Sequence, residues 1–429
     1  MKDFATSADP AVQTQLDRLA ALSVPQGRLG LETIRALLAR LGDPHLALPP
    51  VFHVAGTNGK GSTCAFLRAM LEAGGYRVHA TTSPHLVRYN ERIRVAGALI
   101  ADARLAALLA EVLDAGEDLA PSFFEVTIAA AFLEFARVPA DACVVEVGLG
   151  GRFDATNVLP RPAVCGIAAL GIDHERFLLV PEEGTPAEPL ARIAFEKAGI
   201  AKPGVPLVTN SYPGQAADEV ERAAPKAGAP LAMRGCEWHA NAETTRLRYA
   251  DRHGALDLPL PALPGPHQPE NAALAVAMLR HQSALHVWAE AIAEGIRTAI
   301  WPARLQRLAP GPLAGEREVW LDGGHNPSAG AILAQHFAGQ RLHLVIGMIE
   351  GKDPAALTDP LAPSIASLTV VPVPGHDHHP PQAFGPKTRA ATDVPSALAI
   401  LPDDGLPALI AGSLYLAGEV LRLNGEFPD

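Results

Sequence analysis

Short apolar strands alternating with helices predict an α/β protein with a mostly parallel sheet. Three observations carry that prediction. Val51-Phe52-His53-Val54 is a short apolar run that enters a glycine-rich turn at 56–62 and then a helix, Thr63 to Ala73. Buried-strand runs recur at Ala142 to Val147 and Ala163 to Ala168. A fresh alternation starts beyond Ala299-Ile300-Trp301-Pro302. The chain is therefore expected to form two domains. Residues 1–298 should be a P-loop-type, mostly parallel sheet domain, and residues 299–429 a smaller Rossmann-like α/β domain.

The elements follow in order. The opening ~50 residues read as helices closed by Leu48-Pro49-Pro50. After the first strand and its helix, Arg77 to Thr82 fits a second strand. Ser122-Phe123-Phe124-Glu125 is a capping box, because Ser and Glu three apart can satisfy each other's backbone N–H groups. It opens a helix to about Ala136. The strand 142–147 ends in Gly148-Leu149-Gly150-Gly151. Glu188 to Ala198 is helical and is stopped by Gly199 or by Pro203-Gly204. Cys236 to Pro264 alternates as a small antiparallel excursion would. Asn271 to Gln282 and Val287 to Ala299 read as helices. Past the boundary come strand Glu318 to Leu321, a helix from Ser328, strands Leu342 to Ile346 and Ser367 to Val371, helix Val394 to Leu401, strand Ala408 to Ala411 and a helix from Ser413. Pro372 to Pro386 is a Pro/His-rich loop.

Composition narrows the function. The 429 residues allow two to four domains, and 48% apolar with 19% charged residues excludes a disordered chain. A net charge of −11 argues against a general nucleic-acid binder but permits a small anionic substrate at a local cationic focus. Cys64, Cys143, Cys165 and Cys236 are scattered, so they are expected as reduced thiols. The start lacks the pattern of a secretory signal, and no run approaches ~18 apolar residues. A soluble cytoplasmic protein is expected.

In open α/β sheets, ligands lie off the carboxyl ends of the strands. Gly56-Thr57-Asn58-Gly59-Lys60-Gly61-Ser62 sits at such an end. Its glycines let backbone N–H groups approach phosphate oxygens, the following helix adds its positive end, and Lys60 supplies a mobile charge. Ser62 or Thr63 offers a hydroxyl to Mg²⁺ or phosphate. The spacing differs from the standard phosphate-loop motif: Val54 stands at its first glycine, and Gly61 separates Lys60 from Ser62. Ser83, Glu146 and His174 follow three other strands, and hydroxyl, carboxylate and imidazole form a mixed Mg²⁺ set. A buried Glu146 needs a metal or a cationic partner such as Arg152. Lys197 near a helix end reads, on its own, as a cation favoured by the helix dipole.

Together these pieces resemble one family. HVAGTNGKGS (53–62), TTSPHLVRYNERIRV (81–95), EVGLGGRFDATN (146–157), GIDH (171–174) and IAFEKAGIAKPG (193–204) are similar to segments of the dihydrofolate synthases and folylpolyglutamate synthases. These belong to the ATP-dependent Mur-type amide ligases. GPHQPENAALA (265–275), WPARLQ (301–306), LDGGHNP (321–327), GKD (351–353) and AGSLYLAGEV (411–420) continue the match in order.

The resemblance implies a fold like the Mur central domain for the first part. Gly56, Thr57, Asn58, Gly59, Lys60, Gly61 and Ser62 would hold ATP, with Asn271, Arg304 and Asp322 also on the nucleotide. Ser83, Glu146 and His174 would hold two Mg²⁺ ions. Lys197 would be carbamylated, and it joins Lys60, Asp322 and His325 as the catalytic set. Arg92 (or Arg88), Phe124, Asp154 and Ala155 would lie near the pterin–benzoate substrate, and His325 and Ser413 near substrate in the second domain.

The implied reaction is ATP-dependent addition of L-glutamate to dihydropteroate, to folates, or to both, through an acyl phosphate. The second domain would swing in to exclude water. Small molecules are the expected partners, without nucleic acid or membrane, and the chain is expected to be a monomer. A muramyl-peptide ligase and a non-catalytic nucleotide-binding regulator are the alternatives. Three departures stand out. Phe177 to Leu190 is longer and richer in proline than in the family. Gly323-Gly324 precedes His325. Gly375-His376-Asp377-His378-His379 replaces a stretch that carries an arginine. Its histidines read as an exposed loop rather than a transition-metal site.

Overall fold

The structure, a computed structural model, describes residues 5–22 and 30–429. Part of the expected helical opening, residues 23–29, lies outside the described residues, as does the start of the chain to residue 4. The described chain forms two compact units. The first comprises residues up to Pro84, Arg88–Ala262 and Gln268–Ile300. The second comprises His85–Val87, Leu263–His267 and Trp301–Asp429.

The first unit is built on an eight-stranded sheet: β1 Val51–Ala55, β2 Val78–Thr81, β3 Ile93–Val95, β4 Ala98–Leu99, β5 Ala142–Glu146, β6 Val164–Ile167, β7 Leu207–Thr209 and β8 Leu231–Met233. Its order is β4-β3-β2-β5-β1-β6-β7-β8. β1 is central, flanked in parallel by β5 and β6, and all three are fully buried. Among the described residues the antiparallel pairings of this sheet are β2 with β3 and β3 with β4, at one edge. The strand order switches sides at β1, with β2 and β5 on one flank and β6 to β8 on the other, which places a ligand crevice at its carboxyl end.

Helices close the sheet by burying apolar stripes. Asp9 caps the helix Pro10–Ala21 through the N–H groups of Ala11 and Val12, and Val12, Leu16 and Leu19 face inward. The Ser122 capping box forms as expected: Glu125 accepts the Ser122 N–H at 2.8 Å, and Ser122 accepts the Glu125 N–H at 3.2 Å. It opens the helix Phe123–Arg137, whose Phe132 and Phe135 enter one core with Cys143 and Val145 of β5. Cys165, Ile167 and Leu207 join a second core with Ala194, Ala198 and Val220.

A three-stranded antiparallel sheet, β9 Trp238–Ala242, β10 Arg246–Asp251 and β11 Gly254–Pro259, occupies the expected excursion. The second unit carries β12 Gln306–Arg307, β13 Val319–Leu321, β14 Leu342–Ile346, β15 Ile365–Val370, β16 Arg389–Ala390 and β17 Ala408–Ala411, in the order β12-β13-β17-β14-β15-β16. It is parallel except for β12. All four cysteines are free. Among the described residues no helix is long and apolar enough to cross a membrane.

The helix after the phosphate loop, Lys60–Ala73, packs very closely on the helix Ala289–Thr298. A Cβ on Gly295 would sit 2.4 Å from the Met70 backbone nitrogen. Backbone cannot yield as a side-chain tip can, so Gly295→Ala should destabilise the protein by roughly 1–3 kcal/mol through overpacking. Thermal unfolding should show a fall of several degrees. An unchanged midpoint would contradict this packing.

Candidate active site

The turn after β1 carries the phosphate loop. Gly59 is left-handed at φ 81°, and Lys60 starts the next helix. A Cβ on Gly59 would meet Asn271 Oδ1 at 2.3 Å, so Asn271 lies directly against the loop. Asn271 is in turn oriented by Gln268 Oε1, which accepts from its Nδ2 at 3.1 Å. Just past the end of β6, the Ala169 carbonyl accepts the N–H groups of Thr57 and Asn58. Lys60 Nζ folds back onto the Gly56 carbonyl at 3.0 Å. Ser62 is buried, and Gln268 Nε2 donates to its hydroxyl at 3.4 Å.

Lys197 does not act as a cap on its own helix. Its Nζ donates to the Gly56 carbonyl at 2.8 Å, so a residue 141 positions away reaches the phosphate loop. Burial, then the charge of Lys60, pushes its pKa down to about 7, against the opposing pull of Asp173, Asp154 and Glu196. The dipole reading of Lys197 is thereby corrected: the side chain belongs to the loop.

Glu146 ends β5 in register with Val54 and is buried. Its Oε2 accepts the Ser83 N–H at 3.1 Å, which brings Ser83 and Glu146 together. Arg152 is engaged by Glu182 and Glu196 instead of Glu146, so the bland pairing for Glu146 does not hold. His174 is left-handed at φ 52°, with Nε2 3.9 Å from Asp173 Oδ2. A left-handed non-glycine residue stores strain of a kind that gathers at functional positions.

A buried carboxylate, a hydroxyl and an imidazole fit a hard cation completed by water and phosphate oxygens. Among the described residues no three His, Cys, Asp or Glu side chains are grouped to hold a metal. A cation here would therefore depend on substrate oxygens, as Mg²⁺ commonly does. His376, His378 and His379 each engage a backbone carbonyl, those of Pro374, His376 and Lys352 respectively.

The proposed acceptor residues lie in the first unit. Phe124 sits so close to Gly148 that a Cβ there would meet the ring at 2.5 Å. Arg92 is buried, with its guanidinium 5.1 Å from the Phe123 ring centre. Asp154 and Ala155 are buried. Asp154 serves its own loop: Oδ2 accepts the Leu149 N–H at 2.8 Å, and Oδ1 accepts from Thr156.

In the second unit, Asp322 organises Arg304. Its Oδ2 accepts the Leu305 N–H at 2.8 Å and its Oδ1 the Gly324 N–H at 2.7 Å. Ala303 and Leu305, on either side of Arg304, are both left-handed at φ 56° and 46°. The ring of His325 engages the Gly323 carbonyl through Nδ1 at 3.0 Å. Ser413 caps the last helix, accepting the Tyr415 N–H.

No protein-family model matches the chain. It is 39% identical over 332 residues to the dihydrofolate synthase/folylpolyglutamate synthase of Escherichia coli (strain K12), spanning 76% of this chain and 73% of that one. The chain belongs to the dihydrofolate synthase/folylpolyglutamate synthase family. Its fold agrees: E. coli FolC in complex with DHPP and ADP superposes with a TM-score of 0.84 at 32% identity, covering 97% of this chain and 98% of that chain. A bifunctional folylpolyglutamate synthase/dihydrofolate synthase with Mn, AMPPNP and L-glutamate bound matches at TM-score 0.82 and 30% identity, covering 98% and 99%. The dihydrofolate synthase/folylpolyglutamate synthase family is one of ATP-dependent ligases, and the α/β class expected from the sequence is the one observed.

Two groups escaped sequence reasoning. Gln268, which orients Asn271, and Thr156, which engages Asp154, lie inside recognised motifs but have no chemistry visible in spacing alone.

The Lys197 pocket yields a test. Its native pKa is depressed to about 7. The unfolded chain therefore binds more protons from there up to the ordinary lysine range, and stability from this site rises with pH across that window. Wild type should gain stability relative to Lys197→Met as pH rises from about 6.5 to about 9.5 in thermal unfolding. Parallel curves would refute the depressed pKa.

Proposed function

We propose that this chain uses ATP to join L-glutamate to dihydropteroate and to reduced folates. One observation carries the reading: two lysines, 60 and 197, converge on the Gly56 carbonyl of a phosphate loop that adjoins a buried Glu146. The bound molecules of similar structures support it: ADP and DHPP in one, AMPPNP, Mn and L-glutamate in another.

Amide formation from a carboxylate and an amine is uphill in water, so the carboxylate must be activated. Its oxygen attacks the γ-phosphorus, the bond to the β-phosphate oxygen breaks, and ADP leaves. The glutamate amine then adds to the acyl carbon, phosphate leaves, and the nitrogen gives up a proton. Loop N–H groups and Lys60, released from the Gly56 carbonyl, offset charge on the transferring phosphoryl group. Ser83, Glu146 and His174 would hold Mg²⁺, which screens the phosphates. Arg92, Phe124, Asp154 and Ala155 line the acceptor side. Asn271, Arg304 and Asp322 serve the nucleotide, and His325 and Ser413 the glutamate. Residues 1–298 thus hold the phosphate loop and the folate function, and residues 299–429 hold the glutamate function and add two residues for the nucleotide. The enzyme acts as a cytoplasmic monomer.

Lys197 is poised for carbamylation. A lysine whose pKa falls to about 7 is substantially neutral under physiological conditions, and a neutral amine adds to dissolved carbon dioxide with loss of a proton. In ¹³C-bicarbonate, a carbamate carbon resonance should appear in wild type and be absent from Lys197→Arg. A spectrum unchanged by that substitution would exclude carbamylation.

The reaction is tested by following ADP and product with L-glutamate plus either dihydropteroate or tetrahydrofolate. Lys60→Ala should lower turnover by roughly 10²–10³-fold. No product with either acceptor, from folded protein, would overturn the function.

A further inference from the structure

His53 is an ionisable side chain in the middle of β1, fully buried, and no step above uses it. Its Nε2 lies 2.8 Å from Thr156 Oγ1. The Thr156 hydroxyl donates to Asp154 Oδ1 at 2.5 Å. A threonine hydroxyl has one proton, and here the carboxylate takes it. The remaining contact therefore requires His53 to donate through Nε2–H. That leaves Nδ1 without a proton, and Nδ1 is a buried nitrogen with no hydrogen-bond partner among the described residues. The chain of bonds has one direction: His53 Nε2–H to Thr156 Oγ–H to Asp154.

We propose that His53 is a positioning residue for the acceptor substrate, acting through Thr156 on Asp154. Asp154 is the hinge of that action. Besides Thr156 it holds the Leu149 N–H, and so fixes the glycine-rich loop 148–151. Gly148 of that loop lies against the Phe124 ring. The strand that presents the phosphate loop is thereby joined, through three buried side chains, to the wall of the acceptor site. Burial keeps the imidazole uncharged, with its pKa pushed down to about 3, so its hydrogen-bonding pattern does not change across the working range. This inference rests on the acceptor site proposed above.

The test uses the full-length enzyme and the variants His53→Leu, His53→Gln, Thr156→Val and Thr156→Ser. The glutamine can present a donor where Nε2–H stood, and the serine keeps the hydroxyl. His53→Leu and Thr156→Val should each raise KM for dihydropteroate by roughly tenfold, with KM for ATP changed less than about twofold. His53→Gln and Thr156→Ser should recover most of the loss. The double variant should be no worse than the poorer single one, as expected for members of one chain. Equal rises in both KM values, or no rise in either, would overturn the proposal.

A separate readout does not need activity. In ¹⁵N-histidine protein, the signals that vanish in His53→Gln should show Nδ1 as a bare imine nitrogen, with the His53 shifts moving in Thr156→Val. A protonated Nδ1 would overturn the proposal even in an active enzyme. A wild type that shows this tautomer but ligates neither acceptor would overturn the acceptor role and the function together, leaving the hydrogen-bond chain as structure alone.

Discussion

Lys197 reaches out of the helix Pro189–Ala198 to the carbonyl of Gly56, and the reactive end of the first unit is assembled around that bond. An ammonium group is costly to bury, and the pocket responds by favouring the neutral amine. The same helix end also holds the glycine-rich loop. The Arg152 N–H donates to the Glu196 carbonyl at 2.8 Å, and Asn157 Nδ2 donates to the Gly199 carbonyl at 3.1 Å. Gly151 packs on the carbonyls of Glu196 and Lys197 so closely that a Cβ would not fit. One helix terminus therefore sets both the phosphate loop and the loop that carries Asp154.

The unusual segment between His174 and that helix has its own anchor. Glu182 pairs with Arg152 at 2.6 Å and with Arg192 at 3.4 Å, and Glu196 meets both arginines at 2.9 Å. Two arginines and two glutamates share charge, so no single member is left uncompensated. The Thr185 hydroxyl adds a further partner for Arg192. Removing one partner from such a buried cluster costs more than the cluster contributes as a whole. A longer, proline-rich path is tolerated here because Glu182 lands among partners already gathered at the helix end and Glu188 caps the helix that follows.

Much of this was legible in the residues. The phosphate loop, the capping box at Ser122 and the strand ends at Glu146 and His174 have local signatures, and the architecture follows from their alternation. Other elements were silent. β7 and β8 are three residues each, too short to show a period. The helix Gly214–Ala227 carries Pro225 inside it, which in sequence reads as a break. The helix Ala355–Leu361 also contains a proline, Pro360, and hides between two strands. In the site, Lys197 could not be told from a dipole cation by its position alone, because its partner lies far off in sequence, and only the family resemblance set it apart. Long-range contacts of that kind depend on packing, which periodicity does not encode.

Ala303 and Leu305 hold a backbone conformation that side chains resist, and both are buried. Asp322 holds the pair in place through the Leu305 N–H, and Arg304 is displayed between them. For anyone engineering a hardier enzyme, glycine at 303 is the obvious relief, because it adopts that geometry freely and gives up only a methyl group, whereas at 305 it would also empty a leucine from the core. The gain in tolerance to heat would come from the element that aims the arginine, and durability would rise as catalytic aim is lost.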